Sequence, residues 1–163
     1  MNLEELYQKQ GERLYGYLLF RLGSAEDAED VLQEAFCRFA RYGLRWRLVR
    51  NPQAFVFKIA RNEANRFLRR RIGRRDGEAV MLKAGGGRFE AALARPEEPE
   101  MAILLKRAAE LPPDQKEALF LKVFDGLTFK EIGSICDIST NTAASRYRLG
   151  IARLRKAAEG TSR

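Results

Sequence analysis

The stretch from Thr128 to Lys156, TFKEIGSICDISTNTAASRYRLGIARLRK, constrains the fold of this chain more than any other. Thr128 followed by Glu131 is a capping-box pattern, in which a hydroxyl and a carboxylate three residues apart satisfy the open amides of a helix start. Ile132 and Ile135 or Cys136 then share one helical face. Asp137-Ile138-Ser139 breaks that period and supplies an N-cap for a second helix, expected over about Thr140 to Ala158. In the second helix Ala143, Tyr147, Gly150 or Ile151 and Leu154 recur at helical spacing, leaving Asn141, Thr142, Ser145, Arg146, Arg148 and Arg153 on the outer face. Neutral hydrogen-bonding side chains followed by arginines suit the second helix of a helix-turn-helix, whose N-terminal residues reach base edges in the major groove. A helical hairpin with a solvated basic face would carry the same local pattern.

Composition narrows the partners. The 163 residues suffice for one ordinary domain or two small ones. Thirty Lys and Arg against 22 Asp and Glu give a net charge of +8, and a sequence pI of about 9.8 favours nucleic acid or another anionic surface. The chain has no apolar run of about 18 residues, and its start, MNLEELYQKQ, is polar and acidic, so a cytoplasmic chain with no membrane insertion of its own is expected. Cys37 and Cys136 form no CxxC spacing and read as buried thiols. With no histidine, the commonest general base and transition-metal ligand is missing. The expectation is a protein that is not an enzyme and needs no cofactor or metal.

Upstream, the chain is a series of helical stripes. Leu3, Leu6, Tyr7, Leu14, Tyr17, Leu18 and Leu22 mark a first helix over about residues 2 to 22, ended by Gly23, with the tyrosines as edges of the core. Ser24 to Asp27 reads as another capping box, followed by Ala28, Val31, Leu32, Ala35, Phe36 and Phe39 at helical spacing. Acids and amides fill the other face. The helix dipole accounts for Glu26 and Asp27 in the first turn, but less well for Gln33 and Glu34, and a docking face for a basic protein partner explains them equally.

Periodicity stops between Arg41 and Arg50, where YGLRWRLVRN reads as a loop with an exposed Trp46 among arginines. Asn51-Pro52 then opens a third helix to about Arg71, with an apolar stripe of Phe55, Val56, Ile59, Ala60, Ala64, Phe67 and Leu68. Lys58, Arg61, Asn62, Asn65, Arg66, Arg69 and Arg70 occupy the rest. From Arg41 to Arg75 there are twelve basic residues and one acid, Glu63, a balance of +11 against −3 for the remainder of the chain. An aromatic-bearing loop leading into an arginine face suits single-stranded nucleic acid, since bases stack on rings while the groove tracks phosphates. A solvated basic helix with Trp46 as a loop anchor is the plainer alternative.

Residues 73–100 turn glycine-rich, then acidic and proline-bearing, and read as a flexible linker. Gly85-Gly86-Gly87 lacks the Lys-Ser or Lys-Thr of a phosphate loop. Beyond it Met101, Leu104, Leu105, Ala108 and Leu111 predict a short helix stopped by Pro112-Pro113. A further helix from Asp114 to Asp125, burying Ala118, Leu119, Leu121, Val123 and Phe124 in some combination, ends at Gly126. No β-alternation is long enough for a strand. The expected fold is all-α: two small helical domains, 1–72 and 101–160, joined by the linker, the second ending in the helix-turn-helix.

In this order the features resemble the bacterial RNA polymerase sigma factors of the extracytoplasmic-function (ECF) type. DAEDVLQEAFCRFAR (Asp27 to Arg41) is similar to the family's polymerase-docking helix, NPQAFVFKIARNEANRFLRRR (Asn51 to Arg71) to its −10 element helix, and Leu111 to Arg155 to its −35 element domain. The resemblance implies that Asp27, Asp30, Gln33 and Glu34 contact the basic coiled coil of core polymerase. It implies that Trp46, Arg50, Asn51, Lys58, Arg61, Asn62, Asn65, Arg66, Arg69 and Arg70 engage the single-stranded −10 element. Ser139, Thr140, Asn141, Thr142, Ser145, Arg146, Arg148 and Arg153 would meet the −35 duplex. The implied partners are core RNA polymerase, promoter DNA and an anti-sigma factor, with the linker threading through polymerase. The chain departs from the family pattern at Asp137, where glycine is usual in the turn, and at Ala143 and Ala144, where a larger apolar residue and often lysine stand.

Three other readings compete. A stand-alone helix-turn-helix regulator leaves the acidic face at Asp27 to Glu34 and Trp46 idle. A nuclease with Asp27, Asp30 and Glu34 as metal ligands lacks a base. An adaptor that binds only another regulator would support no promoter-specific transcription.

Overall fold

The computed structural model describes residues 2–73, 107, 108 and 110–160. The chain divides into two compact units, each treated by itself. Among the described residues all regular structure is helical. The stretch from residue 74 to 100, and with it nearly all of the expected linker, lies outside the described residues. So does most of the helix expected over Met101 to Leu111, of which Arg107 and Ala108 are described as helical.

The first unit contains α1 (Leu3–Leu22), α2 (Ala25–Arg41), a 3-10 helix (Gly43–Leu48) and α3 (Pro52–Ile72). Each start has a chemical cause. Asn2 and Glu5 cap α1 reciprocally, and Asn51 accepts from the Ala54 amide at 3.0 Å ahead of Pro52 in the first turn of α3. Gly23 ends α1 in the left-handed conformation, φ 71°, its amide donating to the Leu19 carbonyl at 2.8 Å. Ser24 accepts from the Asp27 amide, but only half of the expected box forms. The Asp27 carboxylate does not reach back; it faces the Arg71 guanidinium of α3 at 2.7 Å.

Burial follows the α2 stripe residue for residue: Ala28, Val31, Leu32, Ala35, Phe36 and Phe39 are all buried. On α1 the correspondence is looser. Tyr17, expected at an edge, is fully buried and packs its ring 5.6 Å from Phe57, while Leu3 and Tyr7 are exposed. Phe57, outside the expected stripe of α3, is buried, and Phe55 and Phe67 are half-buried. The central burial of Leu6, Leu14, Tyr17, Leu18 and Phe57 contributes about 1.5–3 kcal/mol per aliphatic or Phe side chain, against the entropy of ordering it.

Two expectations are corrected here. The segment read as a loop forms the 3-10 helix, closed by Arg45 N–H to Tyr42 O and Val49 N–H to Trp46 O, both 3.0 Å. Its anchor is aromatic: Phe39 stands 6.2 Å from Trp46 and 6.0 Å from Phe55, and Tyr42 meets Phe55 edge-on at 5.0 Å. Trp46 is therefore half-buried, because the end of α2 offers its ring an apolar face. The second correction concerns cysteine. Cys136 is buried as expected, whereas Cys37, next to Phe36 on the solvent side of α2, is exposed.

The second unit contains α4 (Pro113–Val123), α5 (Phe129–Cys136) and α6 (Thr140–Glu159). The capping box of Thr128 and Glu131 forms in both directions, at 3.2 and 2.7 Å, and Ser139 caps α6 by accepting from the Thr142 amide at 3.0 Å. Leu121, Leu127, Ile132 and Ile135 form the centre. Helix α4 ends earlier than expected, and Val123 and Phe124 are exposed, since Gly126 at φ 62° turns the chain so that Leu127 enters the core instead. Lys116 and Glu117 are buried, and burial pushes the Lys116 ammonium below its usual range.

Candidate nucleic-acid and protein-docking interfaces

In the second unit the turn between α5 and α6 is fixed by backbone chemistry. Asp137 adopts φ 55° and ψ 44°, and is the one non-glycine residue with positive φ among the described residues. Aspartate tolerates that left-handed conformation better than most residues, so the turn expected from a glycine forms here without one. The Gly133 carbonyl accepts from both the Asp137 and Ile138 amides. Gly133 is itself the tight point: a Cβ there would lie 2.8 Å from the Ile138 carbonyl oxygen. The one signal for Gly133 in the sequence is an isolated glycine inside a helical pattern, which costs about 1 kcal/mol against alanine and so points to a packing reason.

The outer face of α6 is less uniform than its sequence suggests. Ser139 and Thr142 are committed to the cap, their hydroxyls 2.8 Å apart. Arg146 lies 3.5 Å from Asp114 of α4, with 27% of its side chain exposed. Thr140, Asn141, Ser145, Arg148 and Arg153 are exposed. Ala143 is fully buried, which accounts for the small side chain at that position: α6 packs there against the unit's core.

In the first unit, α3 carries Lys58, Arg61, Arg66, Arg69, Arg70 and Arg71 of the +11 segment along one helix. Arg50, Asn62, Arg66, Arg69 and Arg70 are exposed; Lys58, Arg61 and Asn65 are half-buried. Two of the expected contact residues have structural duties. The Asn51 side chain caps α3, and the Asn65 carbonyl oxygen accepts from the Arg21 guanidinium of α1. The Arg69 Nε donates to the Asn65 backbone carbonyl at 3.4 Å. Leu44 and Leu48 of the 3-10 helix, 74% and 85% exposed, place apolar surface beside Arg45, Arg47 and Arg50.

Glu63, the lone acid of the basic segment, is buried and gathers arginines from two helices. Its Oε1 lies 2.5 Å from Arg38 Nε of α2 and 3.5 Å from Arg66 Nη1. Together with Asp27–Arg71 this ties α2 to α3 at two points. Each partner across the helices is too far away in sequence to be matched by spacing alone. The signal for Glu63 was its sign.

On α2, Asp30, Gln33 and Glu34 are exposed, while Asp27 is buried and bound to Arg71. Asp27 therefore differs from the other three: it serves the α2–α3 junction. Among the described residues no group of three or more His, Cys, Asp or Glu side chains is placed to hold a metal ion, and Asp27, grouped with Asp30 and Glu34 in the nuclease reading, faces Arg71 instead. No helix among them is long and apolar enough to cross a membrane.

An acid-faced helix and an arginine-bearing helix in one unit, with a helix-turn-helix in the other, are the arrangement expected of a helical DNA-binding protein. Comparison with known proteins agrees. Residues 6–73 match the family model for sigma-70 region 2, and residues 101–154 that for sigma-70 region 4. The chain is 30% identical over 141 residues to the ECF RNA polymerase sigma-E factor of Escherichia coli K12, covering 79% of this chain and 72% of that protein. It is 28% identical over 158 residues to the RNA polymerase sigma factor CarQ of Myxococcus xanthus, covering 94% and 87%. Its fold is similar to that of the sigma factor RpoE of Bartonella quintana, solved in complex with the anti-sigma factor NepR, with a TM-score of 0.75, 20% identity and coverage of 96% and 95%. The chain belongs to the ECF group of RNA polymerase sigma factors. Proteins of this family are DNA-binding regulators rather than enzymes.

Proposed function

We propose that this sigma factor binds core RNA polymerase through the exposed acid and amide face of α2. We propose further that it directs the enzyme to promoters by reading −35 duplex with α6 and −10 single strand with α3 and the 3-10 helix, and that it assists melting. The observation that carries this reading is the division of labour within the first unit: Asp30, Gln33 and Glu34 stand exposed on α2, and Arg66, Arg69 and Arg70 stand exposed on α3. Holding unstacked bases requires a surface that offsets a few kcal/mol per base, and cationic side chains beside apolar ones can supply it. Leu44 and Leu48, rather than the half-buried Trp46, offer the more accessible apolar surface of the 3-10 helix. Promoter-specific transcription by core polymerase on addition of the pure protein tests the whole reading; no transcript from any member of a promoter library would overturn it.

Two substitutions separate the faces. Glu34→Lys places a cation before a basic coiled coil and should weaken core binding at least about tenfold while leaving the circular dichroism spectrum unchanged. Unchanged core affinity would count against α2 as the docking helix. Arg66→Ala with Arg69→Ala should lower promoter opening by about tenfold or more, at roughly 1–3 kcal/mol for each lost contact, with core affinity retained. Equal loss in both assays would overturn the assignment of α3.

Regulation by an anti-sigma partner is part of the proposal, supported by the solved complex of the similar RpoE with NepR. A cytoplasmic location goes with it, since polymerase and promoter are there.

A further inference from the structure

Arg21 of α1 reaches across to α3, where its Nη2 donates to the side-chain oxygen of Asn65. A guanidinium carries five N–H donors and no acceptor, so only the oxygen end of an amide can face it. The orientation of the Asn65 amide is thereby fixed, and its Nδ2 points elsewhere. No described residue accepts from Nδ2, and Asn65 is half-buried, so the amino group lies open at the edge of α3. Its surroundings are cationic. Arg61 and Arg69 stand four residues to either side on the same helical face, and Arg69 Nε donates to the Asn65 backbone carbonyl at 3.4 Å.

We propose that Arg21 is a positioning residue of the −10 interface: by holding the Asn65 oxygen it makes Asn65 a donor-only contact, which takes a hydrogen-bond acceptor of the opened DNA and cannot read a base amino group. The proposal rests on the reading of α3 as the −10 helix and adds the chemistry of one contact and the α1 residue that sets it. An unconstrained asparagine presents oxygen and nitrogen side by side and matches adenine through N6 and N7 together. With its oxygen committed to Arg21, Asn65 loses the N6 half of that pair. What remains suits a phosphate oxygen or a base carbonyl, both acceptors, and the neighbouring arginines favour the same electronegative partner. The amide is also oriented before DNA arrives, so less side-chain freedom is lost on binding. Arg13 offers a comparison. It too joins α1 to α3, but through the Phe57 ring, 5.8 Å from its guanidinium, rather than through a −10 candidate.

The test is a double-mutant cycle on the full chain with core polymerase, reading promoter opening beside core affinity and thermal stability. Asn65→Ala should lower opening about three- to tenfold with core affinity retained. Asn65→Asp keeps the oxygen and pairs with Arg21 but has no amino group, so it should lower opening about tenfold or more while stability is retained. Arg21→Met should lower opening about threefold, and adding Asn65→Ala should bring it no lower than Asn65→Ala alone, since both remove one contact. Arg13→Met, which breaks the other contact between α1 and α3, should leave opening within about twofold of wild type. Purine in place of adenine at each −10 position deletes the 6-amino group and should cost wild type and Asn65→Ala the same factor; a larger cost to wild type would refute the donor-only contact. A single methylphosphonate that costs wild type but not Asn65→Ala assigns the acceptor to a phosphate, and a base preference relaxed at one −10 position in Asn65→Ala assigns it to a base; either supports the proposal. Losses from Arg21→Met and Asn65→Ala that multiply in full reduce Arg21 to a stability role and overturn it. Wild-type opening by Asn65→Ala and Asn65→Asp overturns it as well, and leaves α3 as the −10 helix if Arg66→Ala with Arg69→Ala still lowers opening. If that pair also opens normally, both readings fall.

Discussion

Gly133→Ala should destabilise the C-terminal unit by about 1–3 kcal/mol, although replacing glycine by alanine inside a helix ordinarily gains about 0.5–1 kcal/mol. The sign reverses because of what the methyl meets. It would lie 2.8 Å from the Ile138 carbonyl oxygen and 3.4 Å from Ser139 C and Thr140 N, all of them backbone. No rotamer change relieves that contact. Nor can the turn withdraw easily, because the Gly133 carbonyl holds the Asp137 and Ile138 amides and Ser139 already caps α6. Moving the turn means repositioning the whole of α6, so −35 duplex binding should fall together with stability. Gly16→Ala is the internal control. It lies in α1 with nothing within 4 Å of the added carbon, and should be neutral or slightly stabilising. Chemical denaturation of the full chain compares the two, and a Gly133→Ala protein as stable as wild type would show that the turn is looser than its hydrogen bonds imply.

Gly133 also shows where sequence reading stops. The α5–α6 turn was legible as a break between two periodic segments, flanked by Thr128–Glu131 on one side and Ser139 on the other. Those are local events, encoded within four residues of where they act. Asp137 is legible through the resemblance, as the residue that stands where glycine is usual in the turn, and aspartate tolerates the left-handed conformation found there. What was not legible is the distance across the turn, because whether residue 133 touches residue 138 depends on how sharply the chain folds back. The same division runs through the first unit. The α2 stripe is legible because one helix face sets it, while the burial of Tyr17 and Phe57 depends on α1 and α3 facing each other.

The candidate interfaces divide similarly. Charge counting located the basic segment, and helix periodicity placed Asp30, Gln33 and Glu34 on one side of α2. Neither could tell which charged residues are held inside the protein. Asp27 and Glu34 are both acids of one helix, yet Asp27 is drawn in by Arg71, 44 residues on, while Glu34 stays outside. Trp46 looked exposed because arginines surround it in the chain, but Phe39 lies one helix end away and provides a ring to pack on. Side chains that close a tertiary junction are chosen by neighbours from other elements, and single-sequence spacing holds no record of those.

Glu63→Ala is the substitution in which stability and function should fall together. The Glu63 side chain is 3% exposed, and its carboxylate holds Arg38 from α2 at 2.5 Å. Removing one partner of a buried pair costs about 3–5 kcal/mol, since the other charge is left desolvated and unmatched. Arg38 keeps 34% of its side chain in solvent, which lowers the expected loss to about 2–3 kcal/mol. The effect should persist at high salt, because a carboxylate this buried is little screened. Replacing both partners by apolar residues, Glu63→Leu with Arg38→Met, should recover most of the stability, as no charge is then stranded. Function distinguishes this substitution from the arginine pair. On the proposed reading, Arg66→Ala with Arg69→Ala should affect promoter opening and spare core binding, whereas Glu63→Ala loosens the joint between α2 and α3 and should impair both. Denaturation curves with core-binding and opening assays check it. A loss below about 0.5 kcal/mol would make Glu63 an ordinary surface ion pair, and the fixed relation of α2 to α3 would then have to rest on Asp27–Arg71 and the apolar contacts alone.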